Sequence, residues 1–166
     1  MITMEEIERK FLVKQLPDLS SIQVVNYERY YLFVGNGIEL RIQRKNHKYE
    51  LERKVTTGDL TRTGNSCPLS PEEFNLLKQL SSKSIIRDAY RLSESPNVSI
   101  KIYHGDCEGL VRAEFEFESE IEAKSFIPPE WCGDEVTNTA LGRDSRLLAL
   151  SRQDLLKELK VVESKV

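Results

Sequence analysis

The sequence predicts a β-rich domain, an antiparallel sheet or barrel with helices appended to it. Three observations carry this. β-Prone segments outnumber helical ones. They follow one another through short polar turns, in hairpin order, instead of alternating with helices as a parallel sheet requires. In several of them charged side chains recur at every second residue, which is the period of a strand.

Taken in order, Glu5 to Lys14 is the first strand, with Glu6, Glu8 and Lys10 on one face, Ile7 and Phe11 on the other and Arg9 between them. Tyr27 to Phe33 is aromatic and β-prone and runs into the turn Gly35-Asn36-Gly37. Ile38 to Arg44 and Lys48 to Val55 form a hairpin around Lys45-Asn46-His47, and Gly58-Asp59 turns the chain into Leu60 to Cys67. A helix starts at Ser70-Pro71-Glu72-Glu73: Ser70 is the N-cap, Pro71 the first helical residue and Glu73 closes a capping box. Phe74, Leu77 and Leu80 supply its apolar stripe. Ile85 to Leu92, Val98 to His104 and Leu110 to Ser119 read as three further strands. Ser119 to Glu122 repeats the capping logic for a short helix that stops before Pro128-Pro129. From about Asn138 to Val162 the chain reads as helical, with a restart at Ser151 and Asp154 and a frayed end.

Composition narrows the function. The 166 residues suit one domain with a core, and neither a repeat nor a long linker divides them. The 24 basic and 27 acidic residues leave a net charge of only −3. Nucleic acid or an anionic membrane would favour a basic surface, so neither is expected as a partner. Cys67, Cys107 and Cys132 are odd in number and far apart, His47 and His104 stand alone, and no metal-type Cys/His spacing occurs. The thiols are therefore read as reduced and the protein as cytoplasmic. The N-terminal MITMEEIERK lacks an apolar leader, and no apolar run approaches the ~20 residues of a membrane span.

The charged faces carry the chemistry. Glu114 and Glu116 alternate with Phe115 and Phe117, Glu50, Glu52 and Lys54 with Leu51 and Arg53, and Arg41 and Gln43 with Leu40 and Ile42. In a sandwich such faces meet water. In a closed barrel they line a wet, charged lumen while the apolar face points outward under helices. Pattern alone leaves both open.

The order of motifs resembles one family. Glu6-Ile7-Glu8-Arg9-Lys10 matches the ExExK signature of the CYTH, or triphosphate tunnel metalloenzyme, superfamily, and the likeness runs from about Met4 to Leu150. Leu40-Arg41-Ile42 resembles its arginine strand, and Lys54 stands where it has a lysine on the next strand. Arg62-Thr63 followed by Pro68 to Phe74 resembles its strand-to-helix passage. Gly109-Leu110-Val111 leading to Ala113 to Glu116 resembles its late acidic strand, and Pro128 to Trp131 with Gly133 to Thr137 its closing segment.

The resemblance implies an α+β fold, an eight-stranded antiparallel β-barrel forming a triphosphate tunnel with flanking helices. It implies Glu6, Glu8, Glu114 and Glu116 as ligands of Mg²⁺ or Mn²⁺, with Glu114 and Glu116 catalytic. Lys10, Arg41, Lys54, Arg62 and Arg87 would clamp phosphates, joined by Lys101. Hard cations prefer carboxylate oxygens, and phosphoryl transfer is mainly positioning and charge neutralisation.

The chain also departs from that pattern. Gln43 replaces a second arginine, Gly64 and Ser66 replace glutamates, Ala89 replaces a base, Ser99 and Lys101 replace an acidic pair, and Leu147 replaces a tyrosine. Glu52 is an added inward carboxylate, for which a simple pairing with Lys101 suffices. Arg143 and Arg146 have two readings, a reach from the C-terminal helix to the tunnel mouth or the surface, of which the surface is preferred, and His104 is assigned to a loop.

Three functions follow. A metal-dependent hydrolase of inorganic triphosphate, thiamine triphosphate or a nucleotide is favoured by the four glutamates. A non-catalytic binder of nucleotide or polyphosphate is favoured by the lost acids. A nucleotidyl (adenylate) cyclase rests on the resemblance alone. A homodimer is left open.

Overall fold

The first strand finds partners on both of its edges, and this closes the sheet. The structure, a computed structural model, describes residues 4–163. Its strands are β1 (Met4–Val13), β2 (Val24–Gly35), β3 (Ile38–Lys45), β4 (Lys48–Thr56), β5 (Thr61–Leu69), β6 (Ser84–Glu94), β7 (Asn97–His104), β8 (Val111–Glu116) and β9 (Cys132–Glu135). Hairpin pairing gives the order β5-β4-β3-β2-β6-β7-β8-β1, all antiparallel. Met4–Ile7 of β1 then pairs with Thr61–Gly64 of β5, while Glu8–Leu12 pairs with β8. Eight strands thus form a ring, as the resemblance implies. The ninth, β9, was not anticipated; it takes the edge of β1 beyond β5, opposite Phe11 and Val13.

The helices are α1 (Pro71–Leu77), α2 (Glu120–Ser125), α3 (Asp144–Leu147) and α4 (Arg152–Glu163). The expected capping box is present: Ser70 N donates to the Glu73 carboxylate at 2.9 Å, and Glu73 N donates to Ser70 Oγ at 3.1 Å. At the starts of α2 and α4 the serine hydroxyls cap: Ser119 Oγ accepts from Glu122 N and Ser151 Oγ from Asp154 N, both at 3.1 Å. Of the expected stripe on α1 only Phe74 is buried, against Tyr30 and Tyr49; Leu80 falls in a 3₁₀ turn and is 73% exposed.

Two other expectations need correction. β8 ends at Glu116, since Ser119 is already a helix cap. The tail is not helical from 138; α3 starts only at Asp144. Tunnel cations claim the carbonyls a helix would use: Arg112 donates to Leu141 O at 2.7 Å and Lys10 to Gly142 O at 2.8 Å. The expected frayed end at 164–166 lies outside the described residues.

Apolar packing lies outside the ring and at one end of it. Outside, Phe11, Phe115, Phe126 and Trp131 pack beneath α2. At one end, Tyr31, Ile85 and Tyr103, which share strand parity with Arg29, Arg87 and Lys101, meet Leu141, Leu147 and Leu155 of the C-terminal segment as a plug. Leu147, in place of a tyrosine, is a plug residue.

The plug depends on a close backbone approach at Gly142, where a Cβ would stand 2.1 Å from Val136 O and 2.5 Å from Thr137 O. Gly142→Ala is expected to lower the unfolding free energy by about 1–3 kcal/mol through this overpacking. Urea denaturation followed by circular dichroism checks it, and an unchanged midpoint would show that the segment yields at no cost.

Candidate active site

Ring closure turns the charged alternation inward. The tunnel holds a cavity of about 250 Å³ lined by every residue the sequence singled out: Glu6, Glu8, Lys10, Arg41, Lys54, Arg62, Arg87, Lys101, Glu114 and Glu116. The water-facing alternative is overturned. In the whole lining, basic side chains outnumber acidic ones by eleven to eight, so the cavity favours an anion.

The carboxylates gather on the adjoining strands β1 and β8, where Glu8 stands opposite Glu116 and Lys10 opposite Glu114. Lys54 Nζ lies 2.7 Å from Glu6, and Lys10 Nζ 3.1 Å from Glu8. Burial alone would raise the Glu8 carboxyl, but Lys10 and Arg62 bring it below its usual range. Glu114 is likewise held far down by Lys101, Arg112 and Lys10 against the effect of burial, and Arg112 Nη2 donates to it at 3.3 Å. Glu116 differs. Burial and the charges of Glu8, Glu6 and Glu114 push its carboxyl up, and its hydrogen-bond donor is the neutral Asn97 amide at 2.9 Å.

These oxygens suit a hard divalent cation, and the uncompensated negative charge around Glu116 is what such an ion would relieve. Among the described residues no three acidic, histidine or cysteine side chains are arranged to hold a metal. Glu6 and Glu8 are turned to ammonium groups and would have to leave them. The donor chemistry fits such an ion.

The clamp residues are mostly committed to internal partners. Arg41 Nε donates to Glu52 at 3.0 Å, and Arg62 lies 3.3 Å from Glu39, 3.8 Å from Glu6 and 3.9 Å from Glu8. Arg87 belongs to a cluster that sequence reading missed. Asp144, 4% exposed at the start of α3, accepts from Arg29 Nη1 at 2.9 Å, Arg87 Nε at 3.1 Å, Arg112 Nη2 at 3.1 Å and Tyr103 Oη at 2.5 Å. Even so, Arg87 Nη1 and Arg112 Nε are buried without a hydrogen-bond partner. Lys101 rests 5.5 Å from the Tyr27 ring centre, and burial together with Arg87 pushes its ammonium down to about 8.

Some of these residues were legible. Arg112 shares the parity of Glu114 and Glu116, and Arg29 that of Tyr27 and Tyr31. Asp144 gave no signal, because its neighbours come from distant strands.

Several assignments change. Glu52 and Lys101 do not pair; Glu52 belongs to Arg41. Arg143 is not on the surface but lines the cavity and reaches Thr56 Oγ1 at 2.9 Å, while Arg146 is exposed as expected. His104 ends β7, outside the cavity, 2.8 Å from Asp88. Gln43 bridges Arg29 and Glu50. At Gly64 a Cβ would meet Lys54 Cδ and Nζ at 2.8 Å, so the lysine fills the room a larger residue would take.

Two outcomes are expected. Asp144→Ala strands three guanidinium groups in the interior and should cost about 3–5 kcal/mol in chemical denaturation; a loss under 1 kcal/mol would mean that the arginines find other partners. Stability should also fall in acid. The Glu52 carboxyl is pulled from an ordinary 4.5 to about 2, by Arg41 against the effect of burial, and Glu8, Glu114 and Asp144 are depressed too. Folded-state values below the unfolded ones give stability that is complete above about pH 4.5 and lost as pH falls through about 2. A flat urea midpoint across that range would contradict the buried ion pairs.

No family model matches the chain. The inorganic triphosphatase of Nitrosomonas europaea is 31% identical over 151 residues, covering 89% of this chain and 99% of that protein. That of Acetivibrio thermocellus is 30% identical over 147 residues, 87% and 93% of the two chains. The crystal structure of the inorganic triphosphatase NE1496 superposes with a TM-score of 0.65 at 28% identity over 86% of this chain and 93% of that one. No helix among the described residues is long and apolar enough to cross a membrane. With its eight-stranded ring, inward ExExK strand and near full-length likeness to these proteins, the chain belongs to the CYTH, or triphosphate tunnel metalloenzyme, superfamily, among the relatives of the inorganic triphosphatases.

Proposed function

We propose that this chain hydrolyses a triphosphate inside the tunnel, with inorganic triphosphate as the foremost substrate and thiamine triphosphate or a nucleotide as alternatives. The observation that carries the reading is one cavity holding two kinds of charge: a cationic excess that matches a polyphosphate, and an under-compensated carboxylate, Glu116, beside Glu8. The relatives named inorganic triphosphatase support the substrate.

In this reading Arg41, Lys54, Arg62 and Lys10 bind and straighten the phosphate chain, exchanging their internal carboxylates for phosphate oxygens. Mg²⁺ or Mn²⁺, held by Glu6 and Glu8, would neutralise charge on the reacting phosphoryl group. A water oxygen bonds to the terminal phosphorus, the bridging P–O bond breaks, and pyrophosphate leaves with the bonding pair. The water proton passes to a carboxylate. Glu116 suits that role because its hydrogen-bond donor is the neutral Asn97 amide, whereas Glu114, bound to Arg112, serves to fix charge. A cytoplasmic setting agrees with three unpaired cysteines, of which Cys107 and Cys132 are buried and pushed up to about 11 by burial.

A second reading, a binder without turnover, has its own support: Lys54 fills the space above Gly64, and Glu6 and Glu8 are neutralised internally. Phosphate release from inorganic triphosphate with Mg²⁺ or Mn²⁺ separates the two. Wild type is expected to release phosphate, and Glu116→Gln to slow release by about 100-fold or more. Thermal stabilisation by triphosphate without release would replace the hydrolase by the binder, and unaltered release by Glu116→Gln would remove Glu116 as proton acceptor.

A further inference from the structure

Glu114 stands in surroundings unlike those of the other tunnel glutamates. Its cross-strand neighbours are Lys10 on β1 and Ser99 on β7, and Lys101 of β7 stands opposite Arg112, the next inward residue of β8. From β6 and β7 the described residues lining the cavity are Arg87, Arg91, Asn97, Ser99 and Lys101, none of them a carboxylate. Burial aside, the charges acting most strongly on Glu114 are those of Lys101, Arg112 and Lys10, in that order. Glu8, by contrast, lies opposite Glu116 and one inward position from Glu6.

Arg112 is also anchored in a way the lysines are not. It is 1% exposed, its Nη1 donates to Leu141 O at 2.7 Å, and its Nη2 serves both Asp144 at 3.1 Å and Glu114 at 3.3 Å. Its Nε is buried without a partner, and it shares Asp144 with Arg29 and Arg87. Turning Glu114 away would leave this guanidinium buried and under-compensated, which is costly. Glu8 is freer: if it turns, Lys10 keeps Gly142 O at 2.8 Å and Arg62 keeps Glu39 at 3.3 Å. A dication entering beside Glu114 would also meet the charges of Lys101, Arg112 and Lys10 in a confined, weakly screened space.

We propose that Lys101 and Arg112 are built-in cations standing where a second divalent ion would otherwise sit. The chain then binds a single divalent cation, at Glu6 and Glu8, with Glu114 outside its ligand set. The inference rests on reading the tunnel as a metal-assisted phosphate site and deepens it. Two-ion phosphoryl-transfer sites place a metal on each side of the reacting group; here one of the two positive charges belongs to the chain itself. A fixed ammonium or guanidinium neutralises charge as an ion would, but it lends no acidity to a bound water. It supplies charge alone. Ser99 and Lys101, where the family pattern has acids, thus remove one metal ion without removing its charge.

Titration of Mn²⁺ into the protein without triphosphate, with free Mn²⁺ counted by electron paramagnetic resonance, tests this. Wild type should bind one ion per chain; two ions, or none, overturn the proposal. Glu8→Gln should weaken binding at least about tenfold more than Glu114→Gln does, and equal losses would put Glu114 among the ligands. Lys101→Asp, which removes the cation and adds a carboxylate beside Glu114, should raise the count to two. A count still at one would show that Lys101 is not what keeps the second ion out. Should Glu114→Gln fail to fold by circular dichroism, the wild-type count and Lys101→Asp still decide. The outcome is separable from the hydrolase reading. One bound ion without phosphate release from triphosphate keeps this inference and ends that reading, and release with two bound ions does the reverse.

Discussion

Four residue pairs, Met4–Ile7 of β1 against Thr61–Gly64 of β5, decide what the rest of the molecule must be. Without them the sheet is open and its charged face is solvated, which costs nothing. With them the same face becomes the wall of a cavity of about 250 Å³, where an uncompensated charge costs several kcal/mol. Every other feature of the interior answers that constraint. Buried charges of opposite sign pair across the interior, the apolar faces turn outward beneath α2, and a plug of Tyr31, Ile85, Tyr103 and three C-terminal leucines closes one end. Asp144 is the clearest answer. Arg29, Arg87 and Arg112 come from three strands, and no carboxylate on those strands neutralises all three; the chain supplies one from the turn into α3.

The same pairing makes binding an exchange. Lys10, Arg41, Lys54 and Arg62 already hold carboxylates, so a phosphate oxygen replaces one anion by another and much of the desolvation is met in advance. Those ion pairs also hold the side chains in the cavity wall, which lowers the entropic cost of gripping a ligand. What the ligand gains is the surplus: eleven bases against eight acids, and the Arg87 Nη1 donor that internal carboxylates leave unused.

Much of this was legible in the sequence, for definite reasons. The period-two placement of Glu6, Glu8 and Lys10, of Glu50, Glu52 and Lys54, and of Glu114 and Glu116 is a local property, and a strand preserves it whatever the tertiary context. The serine caps at 70, 119 and 151 are local too. Inward against outward was not legible, because alternation alone is the same for a sandwich and a tunnel; the order of motifs and then ring closure settled it. The four-residue β9 carries too little pattern to register. The stretch 138–143 has helix-compatible residues and fails to be helical because Arg112 and Lys10 take its carbonyls, an interaction between segments some 30 and 130 positions apart. Asp144 is unreadable for the same reason.

The departures from the family pattern acquire a common logic once register is known. Gly64 stands directly across from Lys54, Ser66 from Glu52, Ala89 from Lys101 and Ser99 from Glu114. Each small residue therefore stands opposite a long charged one on the neighbouring strand. A ring of fixed circumference has limited room, and inward side chains at one level compete for it. Shortening one member of a cross-strand pair is what lets the other lie down across the gap, as Lys54 does over Gly64 on its way to Glu6. Restoring a glutamate at 64 would thus not add a ligand to the present arrangement; it would displace Lys54 and release Glu6. The replaced acids and the retained or added charges form coupled pairs, and the tunnel's chemistry has to be judged pair by pair.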